Sequence, residues 1–197
     1  MTRPLSTILC LLLLSVPFPA QAVLVNLSPE QVRAAETFAA EHGKKTGLIL
    51  NNQYAVGRSE IFSERVVVRS KWHKYALMTA IKNRKNQKMT EKERADILND
   101  PFLQIDILLF GYSIDFAKNY RVKIIYRGKE VLPEKIHADH FQIAQQIGGH
   151  YSGFPSYRAT VRTYFRYDRL CSDCRLTLKT GQNGHDREFP IDMNNYK

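Results

Sequence analysis

Between Tyr157 and Tyr167 the chain alternates residue by residue, with Tyr157, Ala159, Val161, Thr163, Phe165 and Tyr167 facing one way and Arg158, Thr160, Arg162, Tyr164 and Arg166 the other. A period of two over so long a run predicts a strand with one buried and one polar face. Its surroundings read the same way. Phe102 to Phe110 is an apolar run holding a single charge, Asp106, as expected of a central or sandwich strand. Tyr120 to Arg127 sets Val122, Ile124 and Tyr126 against Arg121, Lys123 and Arg127, and Arg127-Gly128-Lys129-Glu130 is a turn signal before Val131-Leu132. Arg175 to Thr180 and Arg187 to Met193 flank the turn-rich Gly181 to Gly184. Short strands joined by turns, without intervening helices, predict an antiparallel Ig-like β-sandwich over residues 101–197.

Residues 23–100 read as mainly helical. Ser28-Pro29-Glu30-Gln31 has an N-cap serine, a proline at the first helical position and a glutamine placed to close a capping box, and the pattern runs to Gly43. Lys44 to Ser59 reads as loop, and Phe62 to Arg69, with Val66-Val67-Val68, as a strand. Ser70 caps a second helix containing Trp72, Ala76, Leu77, Ala80 and Ile81, while Thr90-Glu91-Lys92-Glu93 opens a third that Asn99-Asp100-Pro101 stops. The expected class is therefore α+β, a small helical region followed by the sandwich.

The first 22 residues read as a secretory signal peptide: Arg3 is the positive n-region, Ile8 to Val16 the apolar core, and Ala20-Gln21-Ala22 the cleavage site. Pro17 and Pro19 interrupt the run before it reaches the roughly 20 apolar residues of a membrane span. An exported chain of 175 residues is expected, periplasmic or secreted, with no transmembrane segment. It would carry 28 basic and 19 acidic side chains, a net charge of +9. Such a balance favours encounter with an anionic surface, phospholipid or acidic polysaccharide, or with an envelope protein. Nucleic acid is not an expected partner, and no cofactor is expected.

Cleavage also removes Cys10 and leaves Cys171 and Cys174 in Cys-Ser-Asp-Cys. In an oxidising compartment their default is to pair. Thiol oxidoreductases place CxxC at a helix N-terminus, where the dipole lowers the nucleophile's pKa, but here a strand pattern follows. A turn-pinning disulfide is thus expected, with redox chemistry and a metal half-site completed by a donor such as His185 as alternatives. His137 and His140 would share a helix face and could ligate a metal with His150, yet their surroundings read as a loop. No metal site is expected.

The candidate binding surface is Arg158, Arg162 and Arg166 interleaved with Tyr164. Arginine forks grip phosphate, sulfate or carboxylate, and a tyrosine between them stacks on a ring. The alternative is a solvated outer sheet face with acidic cross-strand partners. Lys82, Arg84, Lys85 and Lys88 complement the C-terminal end of the second helix, and Trp72 and Tyr75 have core spacing. Asp106 reads as exposed or lysine-paired, with a buried acid of raised pKa as the alternative. There is no Ser-His-Asp signature, Gly-rich phosphate loop or HExxH, and no catalytic residue is assigned.

Three segments, Tyr120-Arg-Val-Lys-Ile-Ile-Tyr-Arg-Gly-Lys, Tyr157-Arg-Ala-Thr-Val-Arg-Thr-Tyr-Phe and Glu188-Phe-Pro-Ile-Asp-Met, resemble a group of exported bacterial proteins of uncharacterised activity. Their pattern is a signal peptide, a short helical segment and a terminal β-sandwich. The resemblance implies a location and a fold, and transfers no catalytic residue. The expected function is a non-enzymatic binding or structural role at the cell envelope, with a polyanion-binding module and a thiol-redox or metal protein as alternatives.

Overall fold

The computed structural model describes residues 26–57, 62–139, 145–146, 155, 157–171, 174–182 and 185–196. The segment read as a signal peptide lies outside them, as do His140 and His150. Among the described residues there are four α-helices: α1 (Pro29–His42), α2 (Thr46–Gln53), α3 (Lys71–Arg84) and α4 (Glu91–Leu98). The strands are β1 (Ala55–Gly57), β2 (Arg65–Arg69), β3 (Phe102–Gly111), β4 (Arg121–Tyr126), β5 (Lys129–Val131), β6 (Lys135–Asp139), β7 (Gln145–Gln146), β8 (Tyr157–Arg166), β9 (Arg175–Gln182) and β10 (His185–Asp192).

The fold is α+β with two antiparallel sheets. One runs β1-β2-β3-β8-β6, with β7 also on β8, and the other β10-β9-β4-β5. Leu103, Ile105, Ile107, Val161 and Phe165 of the first sheet join Val122, Ile124, Leu176, Leu178 and Ile191 of the second in one buried cluster. On β8 the odd-numbered residues 159–165 are buried while the even-numbered 158–166 on the other face are exposed or half-buried, as the alternation requires.

Local signals at the helix starts hold. Ser28 and Thr90 each close a full capping box, with Gln31 and Glu93, and the Ser70 side chain accepts from the His73 amide. Trp72 and Tyr75 are buried in the core.

The stretch from Lys44 to Ser59 differs from the expected loop, since it contains α2 and β1. Leu50 is fully buried, and Gly47 lets α2 approach α3 so closely that a Cβ there would lie 3.3 Å from Leu77 Cδ1. Packing thus overrides weak local propensity. The mainly helical 23–100 segment also lends β1 and β2 to the first sheet, where β2 pairs with β3 from Val66↔Ile107 to Val68↔Ile105.

Cys171 and Cys174 form a disulfide in the link from β8 to β9, with Cα atoms 5.7 Å apart. The Cys174 carbonyl accepts from the Met193 amide at 2.9 Å, so the bridge pins the start of β9 against the end of β10. No described helix is long and apolar enough to cross a membrane.

Candidate functional site

Residues directly opposite in antiparallel strands share a face. Register therefore builds two rows on the outer face of the larger sheet: Val67, Asp106, Arg162 and His137 in one, and Arg69, Gln104, Tyr164 and Lys135 in the next. α3 follows β2 after the single residue Ser70. Lys74 anchors it at this end of the sheet by donating to Asp100 Oδ2 at 2.7 Å and to the Phe102 carbonyl at 3.1 Å.

Asp106 is the centre of the two rows. It is only 6% exposed, which corrects the expectation of an exposed or lysine-paired carboxylate. Arg69 Nε donates to Oδ2 at 2.5 Å and Gln104 Nε2 to Oδ1 at 2.7 Å, while Arg162 Nε stands 3.9 Å from Oδ1. A carboxylate removed from water needs compensation of this kind. Its arginine partners, Arg69 and Arg162, lie 37 and 56 positions away along the chain, so only register brings them to it.

Arg69 also reaches into the interior, where its Nη1 donates to Nε2 of the fully buried His73 at 3.0 Å. Burial first, and then the charges of Arg69 and Lys74, push the His73 pKa down to about 3. The ring is a neutral acceptor that orients the arginine.

Over this polar floor stands an apolar wall. Leu77, Met78 and Ile81 of α3 and Ile97 of α4 enclose, with Arg69, Lys74, Gln104, Asp106, Arg162 and Tyr164, a groove of about 420 Å³. Three cations and one carboxylate line it. Tyr164 stands edge-on to His137 at 5.6 Å and to Phe102 at 6.4 Å, and Lys135 Nζ lies 4.9 Å from the Phe102 ring. Asp106 is already engaged by two donors and faces the Arg162 cation, so the arrangement suits holding an anion beside apolar surface better than removing a proton.

The four residues singled out from the sequence share one strand face but not one site. Arg162 and Tyr164 line the groove. Arg166 is tied to Asp168, with contacts of 2.6 to 3.0 Å, and lies 3.9 Å from Glu134. Arg158 is exposed near the other end of β8, opposite Phe110. His137 lies on a strand rather than in a loop. Among the described residues no group of three His, Cys, Asp or Glu side chains could hold a metal. Lys82, from the basic end of α3, pairs with Glu93 at 2.5 Å.

Arg69, His73, Lys74 and Gln104 were not legible as site residues. The one available signal was Asp106, an acid alone in an apolar run that has to find a cation somewhere. No protein-family model matches the chain, and no curated protein matches it either.

Proposed function

We propose that this is an exported binding protein that holds a ligand with an anionic head and an apolar body in the groove between α3, α4 and the outer sheet face. The observation that carries the reading is the composition of that groove, in which Arg162 stands at the mouth beside Leu77, Met78, Ile81 and Ile97, while Arg69 and Lys74 are held by Asp106 and Asp100. An anionic head would meet Arg162, whose side chain is 36% exposed at the mouth, while the hydrocarbon would lie on the helix wall. Export is part of the proposal. It is supported by the N-terminal segment and by the Cys171–Cys174 disulfide, a bond at home in oxidising compartments.

An extended polyanion on the whole Arg158, Arg162 and Arg166 stripe has less support, because Asp168 and Glu134 already neutralise Arg166. Redox or metal chemistry at the cysteines has less still, since they are paired and a strand follows them.

Dodecyl phosphate, with dodecyl maltoside as the uncharged control, tests the reading by calorimetry. Arg162→Gln should weaken dodecyl phosphate binding about tenfold, the lower range for a charged hydrogen bond, and leave the control unchanged. Equal binding of the two amphiphiles, or indifference to Arg162→Gln, would overturn it.

A further inference from the structure

A second concavity lies on the other sheet, where β4 loses its neighbour. Arg127-Gly128 forms a two-residue turn with both φ angles positive, at 49° and 74°, which makes Tyr126 and Lys129 the hydrogen-bonded closing pair. By alternation Ile124, and then Val122, aim their backbone N–H and C=O toward β5. Ile124 meets Val131, and the same register would set Val122 opposite Pro133. Proline has no N–H to donate, so the ladder ends there. The chain then crosses to the first sheet, where the Glu134 amide bonds the Tyr164 carbonyl at 2.9 Å. Among the described residues, Arg121 to Lys123 pair only with β9.

The departing chain leaves a groove of about 380 Å³, lined on its apolar side by Tyr120, Val122, Leu132, Pro133 and Ile136. Leu132 and Ile136 are large apolar side chains left 62% and 47% exposed. Ile136 lies opposite the buried Thr163 and so points toward the sandwich interior, at an edge the smaller sheet does not cover. Among the described residues, the end of the β4–β5 ladder and the exposed Leu132 and Ile136 thus coincide at one place.

Charge at the mouth selects the occupant further. Lys123 pairs with Glu130, and Lys179 with Glu188 at 2.6 Å. Asp186 is the acidic residue of the lining. Arg121 is exposed and has no carboxylate partner among the described residues.

We infer that this edge is a docking site for an extended segment of a partner protein, which adds as a strand beside Val122, sets an apolar side chain among Leu132, Ile136 and Val122, and presents an acidic residue to Arg121. Strand addition of this kind draws affinity from the backbone and specificity from alternate side chains. The site is separate from the amphiphile groove, which lies on the outer face of the larger sheet.

The probe is a blocked hexapeptide alternating valine with threonine and ending in aspartate, with versions carrying a central proline or a terminal lysine. Hydrogen exchange at the Val122 amide should slow at least tenfold with the aspartate peptide and stay unchanged with the proline peptide. Arg121→Glu, a change at an exposed position, should weaken the aspartate peptide about tenfold and strengthen the lysine one. Absence of Val122 protection, or equal binding of the proline peptide, would overturn the inference. Slow exchange at Val122 without peptide, appearing only as the protein self-associates, would assign the edge to a second copy and overturn it too.

Discussion

Acid should weaken this protein through His73. The ring is fully buried, its Nε2 accepts from Arg69 at 3.0 Å, and Lys74 adds a further nearby charge, so protonation would remove an acceptor and crowd three cations together. Burial and these charges hold its folded pKa at about 3, against an ordinary histidine value of about 6.5. Between those values the unfolded chain binds a proton that the folded chain refuses, so stability rises with pH across the window and falls as pH drops below about 6.5. At pH 4.5 the unfolded state has gained two pH units of protonation, or about 2.7 kcal/mol, at 1.36 kcal/mol per unit. With a urea m-value of roughly 1–3 kcal/mol/M, that is a midpoint shift of about 1–3 M. His73→Gln keeps an oxygen acceptor for Arg69 but cannot titrate. Urea unfolding at intervals from pH 7.5 to 4.5 should therefore show the wild-type midpoint falling below the trend of the variant. Parallel trends for the two proteins between pH 6.5 and 4.5 would refute the reasoning, whatever other groups titrate.

Two further outcomes follow from the same geometry. Arg69→Met strands the Asp106 carboxylate with Gln104 and the more distant Arg162, and should cost about 3 kcal/mol, the lower end for orphaning a buried charge. Adding Asp106→Leu should restore most of that loss in a urea double-mutant cycle, and additive losses would count against the pairing. Replacing Cys171 and Cys174 by serine opens a four-residue loop, so chain entropy limits the cost to about 2 kcal/mol. A loss above about 4 kcal/mol by thermal unfolding would show that the bridge does more than pin a turn.

Strand by strand, much of the sandwich was readable in advance. The β8 alternation, the apolar β3 and the Arg127-Gly128 turn depend on neighbours in sequence, where side-chain period and backbone φ act directly. The three capped helix starts were legible for the same reason, because a serine or threonine and a residue three positions on complete the contact locally. α2 was not, since Asn51-Asn52 and Gly47 favour a break until Leu50 is buried and Gly47 sits against Leu77. The candidate site was legible only in part: Arg162 and Tyr164 stood out by pattern, but Arg69, His73, Lys74 and Gln104 did not.

The sequence by itself determined the alternation of the main strands, three of the four helix starts and where hairpins close, all consequences of local sterics and of a period of two or 3.6. Only the tertiary structure decided what the charges mean. Register put Asp106 beside Arg69 and Arg162, divided the arginine stripe between acidic partners and a groove, and ended the β4–β5 ladder at Ile124, before Val122. Pairings between residues tens of positions apart follow from how strands align, and a buried carboxylate accepts whichever cation that alignment delivers.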